Sequence, residues 1–177
     1  MKLTRRSWIA LATSLLLTVS AGQALAKGTT IKVSLWDKGA MSMSMLGKGP
    51  EMGMMMGNAG AKPMGPMGIT VSTQTVKAGE VTFAVQNSSK TMVHEMVLSP
   101  VKDENTALPY DKAALKVNED EAGHLGEVAE LEPGKRGALT LDLKPGKYVL
   151  YCNIPGHYVL GMWTLLTVKL PAIGFLG

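Results

Sequence analysis

Cys152, His157 and Met162 stand in the stretch Tyr151-Cys152-Asn153-Ile154-Pro155-Gly156-His157-Tyr158-Val159-Leu160-Gly161-Met162-Trp163, with four residues between each pair. A thiolate, an imidazole and a thioether are soft or borderline donors, and Pro155-Gly156 and Gly161 mark the run as a loop that can turn all three toward one point. His94 lies far upstream in a β-type run and offers a second imidazole. Two imidazoles and one thiolate in a plane, with a distant axial thioether, form the donor set of a one-electron copper site. Zinc is the competing metal, but it favours nitrogen, thiolate and oxygen in a tetrahedron, and thioether suits it poorly. Each residue also has an ordinary structural explanation: His94 and His157 as hydrogen-bonded core histidines, Met162 as a core filler, Cys152 as an inert buried thiol. The four together, at this spacing, favour the metal.

The elements that must hold these residues read as β. Alternating or continuous apolar runs fall at 31–36, 69–76, 81–86, 92–98, 138–143, 148–151 and 162–168, separated by turn signals such as Lys77-Ala78-Gly79, Pro133-Gly134 and Pro145-Gly146. About seven strands in one domain predict an all-β, Greek-key β-sandwich. Residues 109–117 suggest a short helix, and 118–126 an acidic, glycine-containing loop.

The first 26 residues read as an export signal, with Lys2, Arg5 and Arg6 ahead of an apolar run and Ala24-Leu25-Ala26 at its end. One domain then spans 27–177, and the expected location is the periplasm, by the Sec or the twin-arginine route, with no stable membrane insertion once the signal is cleaved. The signal carries three of the 18 basic residues and none of the 14 acidic ones, so the chain that remains is nearly neutral. No basic stripe marks a nucleic-acid partner. Cys152 is the one cysteine, so no internal disulfide can form, which is unusual for an oxidising compartment and consistent with a metal-bound thiolate.

Here the chain resembles the cupredoxin (type 1, blue-copper-like) family, over residues 29–169. Ala78-Gly79-Glu80-Val81-Thr82-Phe83 through Val93-His94-Glu95, and Pro145-Gly146 through Met162, carry the resemblance. The resemblance implies equatorial imidazoles at His94 and His157, an equatorial thiolate at Cys152 and an axial Met162. The spacing of the ligand loop is similar to rusticyanin-like and sulfocyanin-like members rather than to plastocyanin. By the same alternation Met92 and Met96 share the His94 face as core packing, while Glu95 turns away, either toward the ligand loop or to solvent. His124 reads as a solvated loop histidine.

Nine of the 13 methionines fall within 41–67, among Gly, Ser, Pro and Lys. Segment 41–68 is therefore expected to be a flexible insertion, and Met41, Met43, Met45, Met52, Met54, Met55, Met56, Met64 and Met67 are candidate secondary Cu(I) ligands. A low-complexity linker or an apolar partner-binding patch is the plainer alternative. Within the family the chain most resembles periplasmic copper-tolerance members with such stretches. That implies a non-enzymatic protein cycling Cu(I) and Cu(II) in copper tolerance, with a periplasmic redox or copper-handling protein as partner. A respiratory or photosynthetic one-electron carrier is the alternative. A copper-dependent oxidase or reductase is a third, for which three histidines are few ligands.

Overall fold

The computed structural model describes residues 28–48, 65–103, 105 and 107–170. The expected signal, residues 1–26, lies outside them, as do Met52, Met54, Met55, Met56 and Met64. No helix among the described residues is long and apolar enough to cross a membrane.

Among the described residues, eleven strands build two packed sheets and a small hairpin. In one sheet, β1 (Thr29–Asp37) lies between β2 (Met67–Val71) and β4 (Gly79–Asn87), and β9 (Arg136–Leu143) pairs on the far side of β4. The alternation of Ile31, Val33 and Leu35 on β1 and of Val81, Phe83 and Val85 on β4 puts one face of this sheet into the core. The parallel register of β1 on β4 sets Ile31 beside Phe83 and Val33 beside Val85.

The second sheet runs β3 (Thr75–Lys77), β11 (Trp163–Lys169), β10 (Gly146–Tyr151), β5 (His94–Val101) and β8 (Gly126–Leu131). Its central strands do not alternate in burial: Tyr148, Val149, Leu150 and Tyr151 are all buried. The reason is a second apolar cluster on the outer face, where Val97, Val149, Tyr151 and Trp163 meet Leu108, Val117, Ala122, Tyr158 and Val159. A sheet covered on both faces needs continuous apolar strands.

Four local expectations are corrected by packing. Residues 69–76 do not make one strand: Val71 pairs with Val33 in the first sheet and Val76 with Val168 in the second, so the chain crosses between sheets at Ser72–Gln74. In place of a helix in 109–117 there is a hairpin, β6 (Tyr110–Asp111) and β7 (Lys116–Val117). The Asp111 carboxylate accepts from the N–H groups of Ala113 and Ala114, as a helix cap would, but the chain turns back because the ligand loop holds its far end: Asn153 brackets Val117, and Gly156 N–H donates to the Leu115 carbonyl. The acidic loop contains a single-turn helix, α1 (Glu119–Ala122), capped by the Asn118 side chain and closed by Gly123 in the left-handed region. Strand β8 was not anticipated, because its acidic residues mask the pattern.

The fourth correction concerns the methionine-rich segment, which is not flexible throughout. Ala40–Met45 forms a 3-10 helix. Ser42 is buried; its hydroxyl donates to the Pro66 carbonyl and accepts from the Lys38 N–H. Met67 is fully buried on β2, opposite Asp37, and belongs to the core rather than to a free tract.

Candidate metal centre

One end of the second sheet gathers the predicted site. Strands β5 and β10 are antiparallel, with Tyr151 opposite Val97, so the start of β5 lies beside the end of β10. His94 opens β5, Cys152 follows β10, and the loop returns through His157 and Met162 into β11. Cys152 N–H donates to the Met162 carbonyl at 3.0 Å, and Met162 N–H to the His157 carbonyl at 3.1 Å, closing the loop on itself. Gly156 and Gly161 supply the left-handed backbone these turns need, at φ 85° and 98°.

His94, Cys152 and His157 are brought together, with one ligand atom from each lying within 4.8 Å of the others. The two Nδ1 atoms are 3.2 Å apart, and Cys152 Sγ is 3.4 Å from His157 Nδ1. Metal–nitrogen bonds of about 2.0 Å and metal–sulfur bonds of about 2.3 Å hold neighbouring donors on one ion about 3.3–3.8 Å apart. The trio therefore fits a single ion with little movement. His94 and Cys152 are fully buried and His157 is 4% exposed. Met162 is also fully buried, in the same apolar cluster as Cys152.

In the metal-free protein burial favours the uncharged forms of the three ligand side chains. Burial pushes the Cys152 thiol up to about 12, although the backbone N–H groups of Glu95 and Ile154 oppose it. Burial, with His94 alongside, lowers His157 to about 4. His94 is also lowered by burial, against the opposing pull of Asp37. A thiol and two uncharged imidazoles are an inexpensive set of groups to bury, and a metal must displace the thiol proton.

Three contacts of the site, from Asp37, Met43 and Leu46, were not legible in the sequence. Asp37, at the end of β1, meets His94 Nε2 through Oδ2 at 2.8 Å, with both side chains essentially inaccessible. Met43 and Leu46 close over the ligand loop: a Cβ on Gly156 would lie 3.2 Å from the tip of each. The methionine-bearing 3-10 helix thus sits directly on the residue preceding His157. Met41 and Met45 face outward, 75% and 52% exposed.

Neighbouring residues resolve as follows. Met96 is fully buried and Met92 packs at the core's edge. His124 is exposed. Glu95 turns toward the ligand loop, where its Oε1 accepts from Asn153 N–H at 2.9 Å and its own N–H points at Cys152 Sγ at 3.5 Å. Asn153 in turn ties the loop to β7, since its Oδ1 accepts from Val117 N–H and its Nδ2 donates to the Val117 carbonyl.

Glu95 also makes the fold sensitive to pH. Burial, then the charge of Glu127, raises it to about 7, against the Asn153 hydrogen bond. Its folded pKa exceeds its unfolded value of 4.5, so its contribution to stability is full below about 4.5 and is lost as pH rises through about 7. Glu95→Gln in the metal-free protein is expected to flatten the urea-midpoint profile between about pH 5 and 8, with the gain at the alkaline end. An unaltered profile would assign the pH dependence to another group.

Comparison with known proteins agrees with this geometry. Residues 57–169 match the model of the copper binding proteins of the plastocyanin/azurin family. No curated protein sequence matches the chain. Rusticyanin from Thiobacillus ferrooxidans is similar in structure, with a TM-score of 0.52 at 17% identity, over 81% of this chain and 79% of that one. Reduced rusticyanin gives 0.50 at 18% identity, over 81% and 82%. Auracyanin from the photosynthetic bacterium Roseiflexus castenholzii, reduced with dithionite, gives 0.47 at 17%, over 81% and 99%. The rusticyanin likenesses bear on the fold: the same kind of β-sandwich. With a family model matched over most of its length and a His-Cys-His cluster suited to a type 1 copper ion, the chain belongs to the plastocyanin/azurin family of copper-binding proteins and is a cupredoxin.

Proposed function

We propose that this protein is an exported, periplasmic cupredoxin that takes up copper and cycles it between Cu(I) and Cu(II) in copper tolerance, without turning over a substrate. His94 and His157, each through Nδ1, and Cys152 through Sγ would hold the ion, with the Met162 thioether as a further donor. When bound, copper supplies one-electron chemistry, accepting an electron from a partner's redox centre or giving one to it.

The protein's own part is to keep the donors in place through both oxidation states. Cys152 is fixed by the backbone bonds at both ends of its loop, His157 by the turn that begins at Gly156, and His94 by Asp37. Burial excludes water that would otherwise compete for the ion, and a rigid site has little to reorganise when the charge changes. His157, which alone of the three retains any exposure, is the side on which a partner could approach. That partner is a redox or copper-handling protein of the same compartment.

Copper tolerance is favoured over plain electron carriage by one observation: a helix bearing Met41, Met43 and Met45 is seated on the ligand loop at Gly156. Thioethers are soft, uncharged donors suited to Cu(I), and an electron shuttle has no need of them there. The test is to replace the exposed Met41 and Met45 of the helix, together with Met52, Met54, Met55, Met56 and Met64, by leucine, leaving the packed Met43 and Met67 in place. Titration with Cu(I) against a competing chelator is expected to show more than one equivalent per native chain and about one per variant, and cells carrying the variant should grow less well in elevated copper. Equal stoichiometry and equal growth would favour the one-electron carrier.

A further inference from the structure

Asp37 stands at a junction that neither the family match nor the ligand cluster accounts for. It ends β1, in the sheet opposite the one that carries the ligands, yet its carboxylate reaches His94 across the interior. Its two oxygens do different things. Oδ2 is 2.8 Å from His94 Nε2, and Oδ1 accepts from Gly39 N–H at 2.6 Å, where the chain turns into the methionine-bearing helix. Gly39 has φ 95°, so that turn is available to glycine at no steric cost. The Asp37 side chain is 1% exposed and that of His94 is inaccessible.

The chemistry of this contact is one-sided. The carboxylate is set between two N–H positions, the Gly39 amide on Oδ1 and His94 Nε2 on Oδ2. An ionised carboxylate can only accept, so the His94 proton must sit on Nε2. Nδ1 is then a lone pair, and it is the atom that faces His157 and the thiol of Cys152. A carboxylate behind an imidazole also makes it a stronger donor, and favours the more highly charged metal ion.

We propose that Asp37 is a positioning residue for the copper centre: it locks His94 in the Nε2–H tautomer, aims Nδ1 at the ion, and stabilises Cu(II) relative to Cu(I). This rests on His94 being a ligand. The same carboxylate anchors the first turn of the methionine-bearing helix, so the helix and the ligand are held by one side chain.

Three measurements test it. In the metal-free wild-type protein, nitrogen NMR of the imidazoles should show His94 protonated at Nε2 and not at Nδ1; a proton on Nδ1 would overturn the proposal whatever any variant does. Asp37→Asn keeps an acceptor for Nε2–H and removes the charge. It is expected to weaken Cu(II) binding by about 10- to 100-fold, as loss of a partner behind a metal ligand typically does, and Cu(I) binding much less. Each tenfold loss on the Cu(II) side alone raises the one-electron potential by about 59 mV. Asp37→Ala removes charge and acceptor together, and should in addition let His94 populate both tautomers in the metal-free state. A potential unchanged in Asp37→Asn, with copper still bound, would overturn the electrostatic role. If neither variant folds, the wild-type tautomer decides. An unaltered spectrum in His94→Ala would show copper held without His94, and would overturn the ligand assignment and with it the Asp37 proposal.

Discussion

Cys152→Ser is expected to abolish the intense visible absorption of the Cu(II) protein while leaving the sandwich folded. The band of such a site comes from charge transfer out of a thiolate, and Cys152 is the one cysteine in the chain. Serine is nearly isosteric, and its hydroxyl has a donor waiting in the Glu95 N–H, which now points at Sγ from 3.5 Å. The cost to the metal-free fold is therefore small, about 1 kcal/mol. Folding is checked by far-ultraviolet circular dichroism and the urea midpoint, and the site by the visible spectrum after copper addition. A variant that keeps the colour would remove Cys152 from the site. A variant that loses both colour and fold would be replaced by Cys152→Ala, which buries no new polar group.

The second large effect is on copper affinity as a function of pH. In the metal-free protein the Cys152 thiol, raised by burial to about 12, holds its proton throughout the physiological range, whereas the metal-bound sulfur must be a thiolate. Each binding event below that pKa releases one proton, so the apparent affinity should rise roughly tenfold per pH unit, or about 1000-fold between pH 5 and 8. Below about 4, where His157 takes up a proton, a second proton must leave and the slope should steepen. Competition titrations at several pH values give the slope directly, and proton release into weak buffer gives it independently. An affinity that is flat with pH would mean that no protonated thiol is displaced.

What could be read from the sequence divides along a physical line. The ligand loop was legible because its geometry is local: within the eleven residues 152–162, two glycines and a proline fix how Cys152, His157 and Met162 turn. His94 was legible because strand alternation and the domain's β character left one strand end to which it could belong. The sandwich itself followed from alternation in β1 and β4, whose buried faces repeat every second residue.

Asp37 was not legible, because its contact with His94 spans 57 residues and exists only once the two sheets are packed face to face. The same is true of Met43 and Leu46 on Gly156: a 3-10 helix in a glycine- and serine-rich stretch has little intrinsic stability and is fixed by what it covers. Met67 was misjudged with its neighbours because composition described the tract as a whole, while its own position, two residues before Ile69 on one strand face, places it in the core. In 109–117 the run Ala113-Ala114-Leu115 carries helix propensity, and Asp111 even caps its N–H groups, but Asn153 and Gly156 of the ligand loop hold Val117 and Leu115, and Leu115 is left with φ 56° in the hairpin turn. Tertiary contacts overrode propensity.

The central claim is that copper is held by His94, Cys152 and His157 at the end of the second sheet. X-ray absorption at the copper edge of the loaded protein tests it most directly, with the Cys152→Ser protein measured alongside. The account predicts one short copper–sulfur bond and two copper–nitrogen bonds of imidazole in the native protein, with the short sulfur shell gone from the variant. A native spectrum with nitrogen and oxygen neighbours alone, or a short sulfur shell that survives in Cys152→Ser, would contradict it.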